Sequence, residues 1–454
     1  MKTKAIKLLA LLAAAVMVFT LAGCGGGGSS STPDSSDTGN AGGEKGGYKT
    51  WEEIKATIPA DAKGKTIEFF TWNYVTDVTG APEVVENFEK ETGIKINFNA
   101  TGGTVDDYMT KIVARVASQD SPDIVRLRGA ELSVLQVLQD LNSMDYDFSD
   151  EAWDTRISGV YTYGGKTYAT TMRNTLLHQP RVMIYNKNLI SKYDLEDPYT
   201  LWKQGKWTWD KFKEICQIYN DETEDSCYAW TSYRWAECPD ALGSAMIKRE
   251  GDTFVSNVND ANLLRGWQYM TELRVEGITN NIRFDRTNFE NNKVLFFTES
   301  PIGVRRTHYY FKNLKAAGAV AMVPVPTFEG GLDDDTVILS EVEAYGIPQG
   351  APSGSLAPYF MRYYLDAENY DEKTFFADPT MLDVYKTIMA CEKVFVNYDT
   401  ALITEDVGKG GIHVNAAIVN AMPANVKTKL DENANLVEAA VKNANGIIEG
   451  KLGK

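Results

Sequence analysis

From Tyr48 onward, hydrophobic periods of two and of about 3.6 take turns along the chain. "YKTWEEIKATIP" places Thr50 three residues ahead of Glu53, the form of a capping box, and predicts a short helix. "KTIEFFTWN" (65–73) is rich in strand formers and bounded by Gly64, so it predicts a strand. Pro82 then opens a helical pattern with Val84, Val85 and Phe88 on one face and Gly93 as its stop. "IKINF" (94–98) alternates apolar and polar, while Tyr108, Ile112, Val113 and Val116 fall on one helical face. "PDIV" (122–125) predicts a third strand, and Leu132, Leu135 and Leu138 continue on a helix. The order βαβαβα predicts a parallel sheet with helices on its faces. Ligands of such sheets bind outside the carboxyl ends of the strands.

Residues 200–320 read as mainly helical with Trp-rich turns. Strand patterns return in "AVAMVPVPTFEGG" (319–331) and "EAYGIPQG" (343–350), and helical patterns dominate after 356. A chain that leaves an α/β layer, returns briefly and leaves again predicts two lobes with several crossings. No internal repeat is present.

The segment ahead of this body has a different character. Lys2, Lys4 and Lys7 precede an apolar stretch, residues 8–22, broken only by Thr20. It is shorter than the ~20 residues a membrane-spanning helix needs, and its positive start and small-residue end read as a secretory signal. Leu21-Ala22-Gly23-Cys24 resembles the bacterial lipobox, which implies cleavage before Cys24 and acylation of its thiol. An ordinary signal peptide with an incidental cysteine is the competing reading. Residues 24–47 are then almost devoid of apolar side chains and predict a flexible Gly/Ser tether. The expected layout is therefore a signal over 1–23 and an anchor and linker over 24–47, with the folded body beyond.

Composition narrows the classes. With 454 residues and 43% hydrophobic side chains, the chain has enough material for more than one ordinary domain. Its formal net charge of −16 argues against nucleic acid and against an anionic membrane face, so the lipid would be the only membrane contact. Beyond Cys24 there are Cys216, Cys227, Cys238 and Cys391. Their spacing matches no zinc pattern. One bridge among the first three and plain burial of all four both remain open.

"FEKETGIKINF", "SQDSPDIV", "LQDLNS", "YGGKTYAT", "VMIYNKNLI", "GKWTWDKFKEI", "VPVPTFEGG" and "YGIPQGAPSGSLAPYFMRYYL" occur in this order. Together they resemble the extracellular solute-binding proteins of ABC importers, in the group that includes maltose-binding proteins. The resemblance covers about residues 65–450. It implies a type II periplasmic-binding-protein-like α/β fold, with two lobes hinged around a ligand cleft. One lobe would take 48–170 plus 318–350, the other 171–317 plus 351–454. It further implies a monomer without cofactor that delivers its solute to a permease, held at the outer face of the membrane by Cys24.

Sugar sites combine aromatic faces with planar polar groups. Trp72 and Asn73 end the first predicted strand. "AWTSYRW" (229–235) gathers Trp230, Tyr233 and Trp235 with no helical period, and matches a cleft-facing stretch of the family. Core packing is the alternative for each. The maltose-type pattern has tryptophans after its "PDI" strand, where this chain has Arg126, Leu127 and Arg128. Its Gly-Pro-Trp segment is replaced by Ile302, with Arg305 and Arg306 following, and Arg173 stands just after "YATT". Arg128, Arg173 and Arg305 are therefore candidates for ligand hydroxyls or for an acidic solute such as a uronic-acid oligosaccharide. Pairing with surface acids is the alternative. Glu341 and Glu343 precede "YGI", in a loop that faces the cleft in this family, which makes Glu343 and Tyr345 further candidates.

Nothing points to catalysis. His178, His308 and His413 form no metal-binding pair, and neither a nucleophile elbow nor a phosphate loop is present. The acidic runs 221–225 and 333–335 lack EF-hand spacing. A secreted glycosidase with two opposed carboxylates and an adhesin without a transporter are the rival classes.

Overall fold

A computed structural model describes residues 48–72, 81–102, 104–129, 132–224, 226–279, 284–306, 308–376, 378–403 and 411–453. These residues belong to one compact unit, Gly46–Lys454. The signal, Cys24, the linker and Asn73 lie outside the described residues.

The predicted α/β layer is present. Helix α1 (Trp51–Lys55) starts on Thr50, whose hydroxyl and the Glu53 carboxylate cap reciprocally. Strand β1 (Thr66–Thr71), helix α2 (Ala81–Thr92), strand β2 (Lys95–Ala100), helix α3 (Val105–Ala117) and strand β3 (Ile124–Arg128) follow. β1 pairs in parallel with β2 and with β3. Helix α4 (Leu132–Leu135) is shorter than its leucine spacing suggests. Leu138 has already left it to bridge Pro348.

The antiparallel strand Glu343–Gly346 completes the first sheet beside β3. Helix Ala357–Tyr364 is buried along its whole length and packs on the same lobe. Phe360 lies 5.1 Å from Phe88, and Tyr363 lies 4.7 Å from Trp51, between ring centroids.

The second lobe is built on the strands Val182–Asn186, Tyr228–Ser232, Val294–Glu299 and Val320–Pro324. Val182–Asn186 and Val294–Glu299 are central and antiparallel to each other, with Val320–Pro324 and Tyr228–Ser232 outside them. Residues 200–320 thus hold more strand than their pattern predicted. A fully buried strand has no polar face, so it does not alternate.

The expected lobe boundaries shift at two places. Val320–Pro324, expected in the first lobe, is apolar and pairs with Val182–Asn186 of the second. Ala357–Tyr364, expected in the second, covers the first-lobe aromatic core. In both cases the segment goes where its apolar surface finds a partner.

Between the sheets, strand Thr336–Glu341 pairs with Lys393–Val396 and with Gln179–Pro180. Thr170 bridges Tyr345 at the edge of the first sheet. Two chain crossings therefore run side by side from one lobe to the other, over 170–180 and 336–346. Cys216, Cys227, Cys238 and Cys391 are all free, so burial and not bridging accounts for the inner pair, Cys216 and Cys238.

Candidate functional site

The carboxyl ends of strands from both lobes converge beside the crossover. On the first lobe, Arg126 and Arg128 lie two residues apart on β3 and so share a face. Glu343 is in register with Arg128, and Tyr345 with Arg126. The Arg126 guanidinium donates to both Glu343 oxygens, at 2.9 and 2.6 Å. It also lies 4.4 Å from the centre of the Trp72 ring. The Tyr345 hydroxyl donates to Glu343 at 2.7 Å. Glu343 and Tyr345 are buried, so they shape this face from within.

Arg128 reaches further out, with a third of its side chain exposed (33%), and forks onto both oxygens of Glu341. Glu341 ends the crossover strand just past a register shift between Leu339 and Glu341. Such irregularities re-aim a side chain. From the second lobe, Arg234 donates to the same carboxylate at 3.2 Å and to the Thr400 hydroxyl. Burial works against charge on Glu341, yet Arg128 and Arg234 hold its carboxyl below the ordinary range.

Glu299, at the carboxyl end of Val294–Glu299, has the opposite character. Burial, with Glu341 beside it, pushes its carboxyl up to about 8. Near neutral pH it is therefore largely protonated and a hydrogen-bond donor. Tyr233 follows strand Tyr228–Ser232, and its ring packs 5.0 Å from that of Phe284. The result is a polar patch with Tyr233 as an aromatic wall and Trp72 buried beneath Arg126, fed by both lobes and by the chain that joins them. That chemistry suits hydroxyl-rich or acidic solutes.

Of the candidates named on sequence, Trp72, Arg128, Tyr233, Glu343 and Tyr345 meet here. Trp230, Trp235 and Arg173 do not, and Arg305 lies buried behind the patch, near enough to Glu343, Arg126 and Tyr345 to feel their charges. Trp230 is 0% exposed: its indole donates to the Thr298 hydroxyl at 2.8 Å, and its ring packs on Trp209, Phe212 and Trp235. Trp235 is buried in the same cluster. Both are core residues of the second lobe: helix Trp209–Glu222 lays its apolar face over strand Tyr228–Ser232, which carries Trp230, and Trp235 packs on Trp230. Arg173 is turned to another part of the inter-lobe region, where it donates to the Ala390 and Cys391 carbonyls and pairs with Glu392 at 3.0 Å. Arg305 is buried, donating to the Leu176 carbonyl at 3.0 Å and lying 5.0 Å from the Phe375 ring centre.

Two members, Arg234 and Glu299, were overlooked on sequence. Arg234 stands inside the quoted aromatic stretch, between Tyr233 and Trp235. Glu299 carried a legible signal, an acid closing a strand that opens on four apolar residues, Val294–Phe297. Glu341 was weighed only beside Glu343.

Two surface cavities lie elsewhere. One, of about 420 Å³, is lined by Arg156, Val160, Arg249, Val396 and Tyr398 among others. The other, of about 520 Å³, is lined by Gln139, Tyr168, Gln349 and Lys451 among others. The convergent site carries more weight, because it lies where strands of both lobes end. Among the described residues no cluster of His, Cys, Asp and Glu fits a metal ion.

A family model for bacterial extracellular solute-binding proteins matches residues 83–383. The chain belongs to this family. Solved members of the same fold agree. A cyclo/maltodextrin-binding protein complexed with maltotetraose superposes with a TM-score of 0.61 at 16% identity, over 84% of this chain and 98% of that one. The cyclic alpha-maltosyl-1,6-maltose binding protein from Arthrobacter globiformis gives 0.63 at 16% identity, over 83% and 99%. The GacH receptor of Streptomyces glaucescens GLA.O, solved unliganded and with acarbose, gives 0.61 at 15% identity, over 82% and 98%. At these identities the likeness is one of fold: two α/β lobes of the maltose-binding-protein type. No curated protein matches the chain. The family is one of binding proteins, not enzymes.

Proposed function

We propose that this solute-binding protein captures an oligosaccharide between its lobes by hinge closure and delivers it to an ABC permease. Glu341 carries the reading. A crossover residue that holds Arg128 of one lobe and Arg234 of the other is placed to sense the angle between them. An aromatic wall at Tyr233, with fixed planar donors beside it, is what a sugar ring needs. Two of the similar structures are complexes with sugars, maltotetraose and acarbose, which supports the same class. Acylation of Cys24 and the 24–47 tether would keep the receptor at the outer face of the membrane, raising its local concentration at the transporter.

A thermal-shift screen tests the reading. The panel holds neutral oligosaccharides, uronic-acid oligosaccharides and small organic acids, at low and high salt. A ligand that binds only the folded state raises Tm by mass action. A rise with neutral sugars supports the proposal, whereas turnover of any of them would refute a binding-only role. A second reading, an acidic solute, is favoured by the arginine pair around Glu341. It predicts a shift with acidic ligands only, weakened by salt.

A further inference from the structure

An aromatic row leaves the cleft along the second lobe. It starts at Tyr233, whose ring is 5.0 Å from Phe284. Phe284 lies 5.7 Å from Tyr310, and Tyr310 lies 4.5 Å from Tyr309. Tyr309 is 61% exposed, the most open of the large apolar side chains among the described residues.

The row is held firmly for a surface feature. His308 is buried and stacks on one face of the Tyr309 ring, 4.5 Å away and 28° from parallel, while Tyr310 meets the same ring edge-on. The Arg286 guanidinium sits 4.2 Å from the Phe284 ring centre and 4.0 Å from that of Tyr310, and donates to the Tyr309 hydroxyl at 3.5 Å. Phe284 has φ 61° and Phe311, which ends the row's inner side, has φ 52°. Bulky L-residues adopt this left-handed region at a cost, and it persists only where packing over-determines it. A ring held by a stacked imidazole, an edge-on Tyr310 and a nearby guanidinium, yet 61% exposed, is pre-organised for stacking and loses little entropy when something stacks on it.

We propose that Tyr233, Phe284, Tyr310 and Tyr309, with Arg286, form an outer platform for the units of a neutral oligosaccharide that extend beyond the cleft. The ring of Tyr309 stacks on a pyranose face, and Arg286 donates to hydroxyls. The ligand is then a chain longer than the cleft holds, taken end-on. This inference rests on the carbohydrate reading above.

Its test measures Kd by calorimetry for the wild-type protein, Tyr309→Ala and Tyr309→Phe. The probes are malto-, xylo-, cello- and manno-oligosaccharides of two to six units. The wild type is expected to bind longer members of one series more tightly than its disaccharide. Tyr309→Ala should lose about two- to tenfold on the long members only, the scale of one aromatic contact, and Tyr309→Phe should retain the wild-type gain. Equal affinities of Tyr309→Ala and wild type for long members would overturn the outer platform and leave sugar capture standing. Absence of wild-type binding to every series would overturn both.

Discussion

Arg234 of the second lobe donates at 3.2 Å to Glu341, the last residue of the crossover strand. Arg128 of the first lobe forks onto the same carboxylate. One largely enclosed acid, 11% exposed at its side chain, thus couples both lobes to the chain that joins them, so the hinge and the binding patch share a residue.

Replacing that acid tests the coupling. Glu341→Gln leaves two guanidinium groups facing each other without their shared counter-charge. Stability should fall by about 1–3 kcal/mol, discounted from a fully buried pair because Arg128 is partly exposed. Urea unfolding measures this. Small-angle scattering of the ligand-free protein should show a larger radius of gyration than wild type, and an unchanged radius would remove Glu341 from hinge control.

Glu299 makes a pH prediction. Its carboxyl is raised to about 8 by burial and by Glu341, against about 4.3 for an unfolded chain. Between those values the folded state holds a proton that the unfolded state has released. The stabilisation is complete below the unfolded value and is lost as pH climbs to about 8. Glu299→Gln should flatten that loss, and Tm followed from pH 5 to 9 in both proteins measures it.

Trp230 is assigned to the core, and its replacement should separate stability from binding. Trp230→Phe removes the indole donor to Thr298 and part of a buried ring. A loss of about 1–3 kcal/mol is expected, with ligand Kd within about twofold of wild type at a temperature where both are folded. A large change in Kd without a change in Tm would return Trp230 to the site.

Arg249 ties the hairpin Ile247–Glu250 and Thr253–Ser256 to the first lobe. Its guanidinium donates to the carbonyls of Gly159, Val160 and Thr162 and stacks 4.1 Å from the centre of the Tyr163 ring. Arg249→Ala should cost about 1–3 kcal/mol through the acceptors it leaves unpaired. Amide exchange should speed up in 159–163 and 247–256 together, whereas a response confined to one segment would mean that the contact does not link them.

Cys24 is the proposed anchor. Cys24→Ala should move the protein from the membrane fraction to the medium with unchanged Tm, since the change lies ahead of the compact unit. Retention in the membrane fraction would refute acylation there.

Where each segment's own pattern sufficed, the sequence was readable. The Thr50–Glu53 cap and the alternation of β1 to β3 with their helices are local features, and each appears where the pattern placed it. Buried strands such as Val294–Glu299 were missed because the run Val294–Phe297 is apolar on both faces and the period of two vanishes. Trp230 and Trp235 were placed in the site because aromatic content marks a core and a sugar site alike. Only the helix lying over the Trp230 strand, with Trp235 packed on Trp230, distinguishes the two.

The sequence by itself determined the α/β character, the family and the arginines at the end of β3, since these depend on residue type and short-range order. Tertiary structure decided which lobe owns Val320–Pro324 and Ala357–Tyr364, and that Arg128 and Arg234, far apart in the chain, meet on Glu341. Such meetings are set by where apolar faces find partners across hundreds of residues, and by a register shift that turns one side chain inward. Neither leaves a periodic trace in the chain.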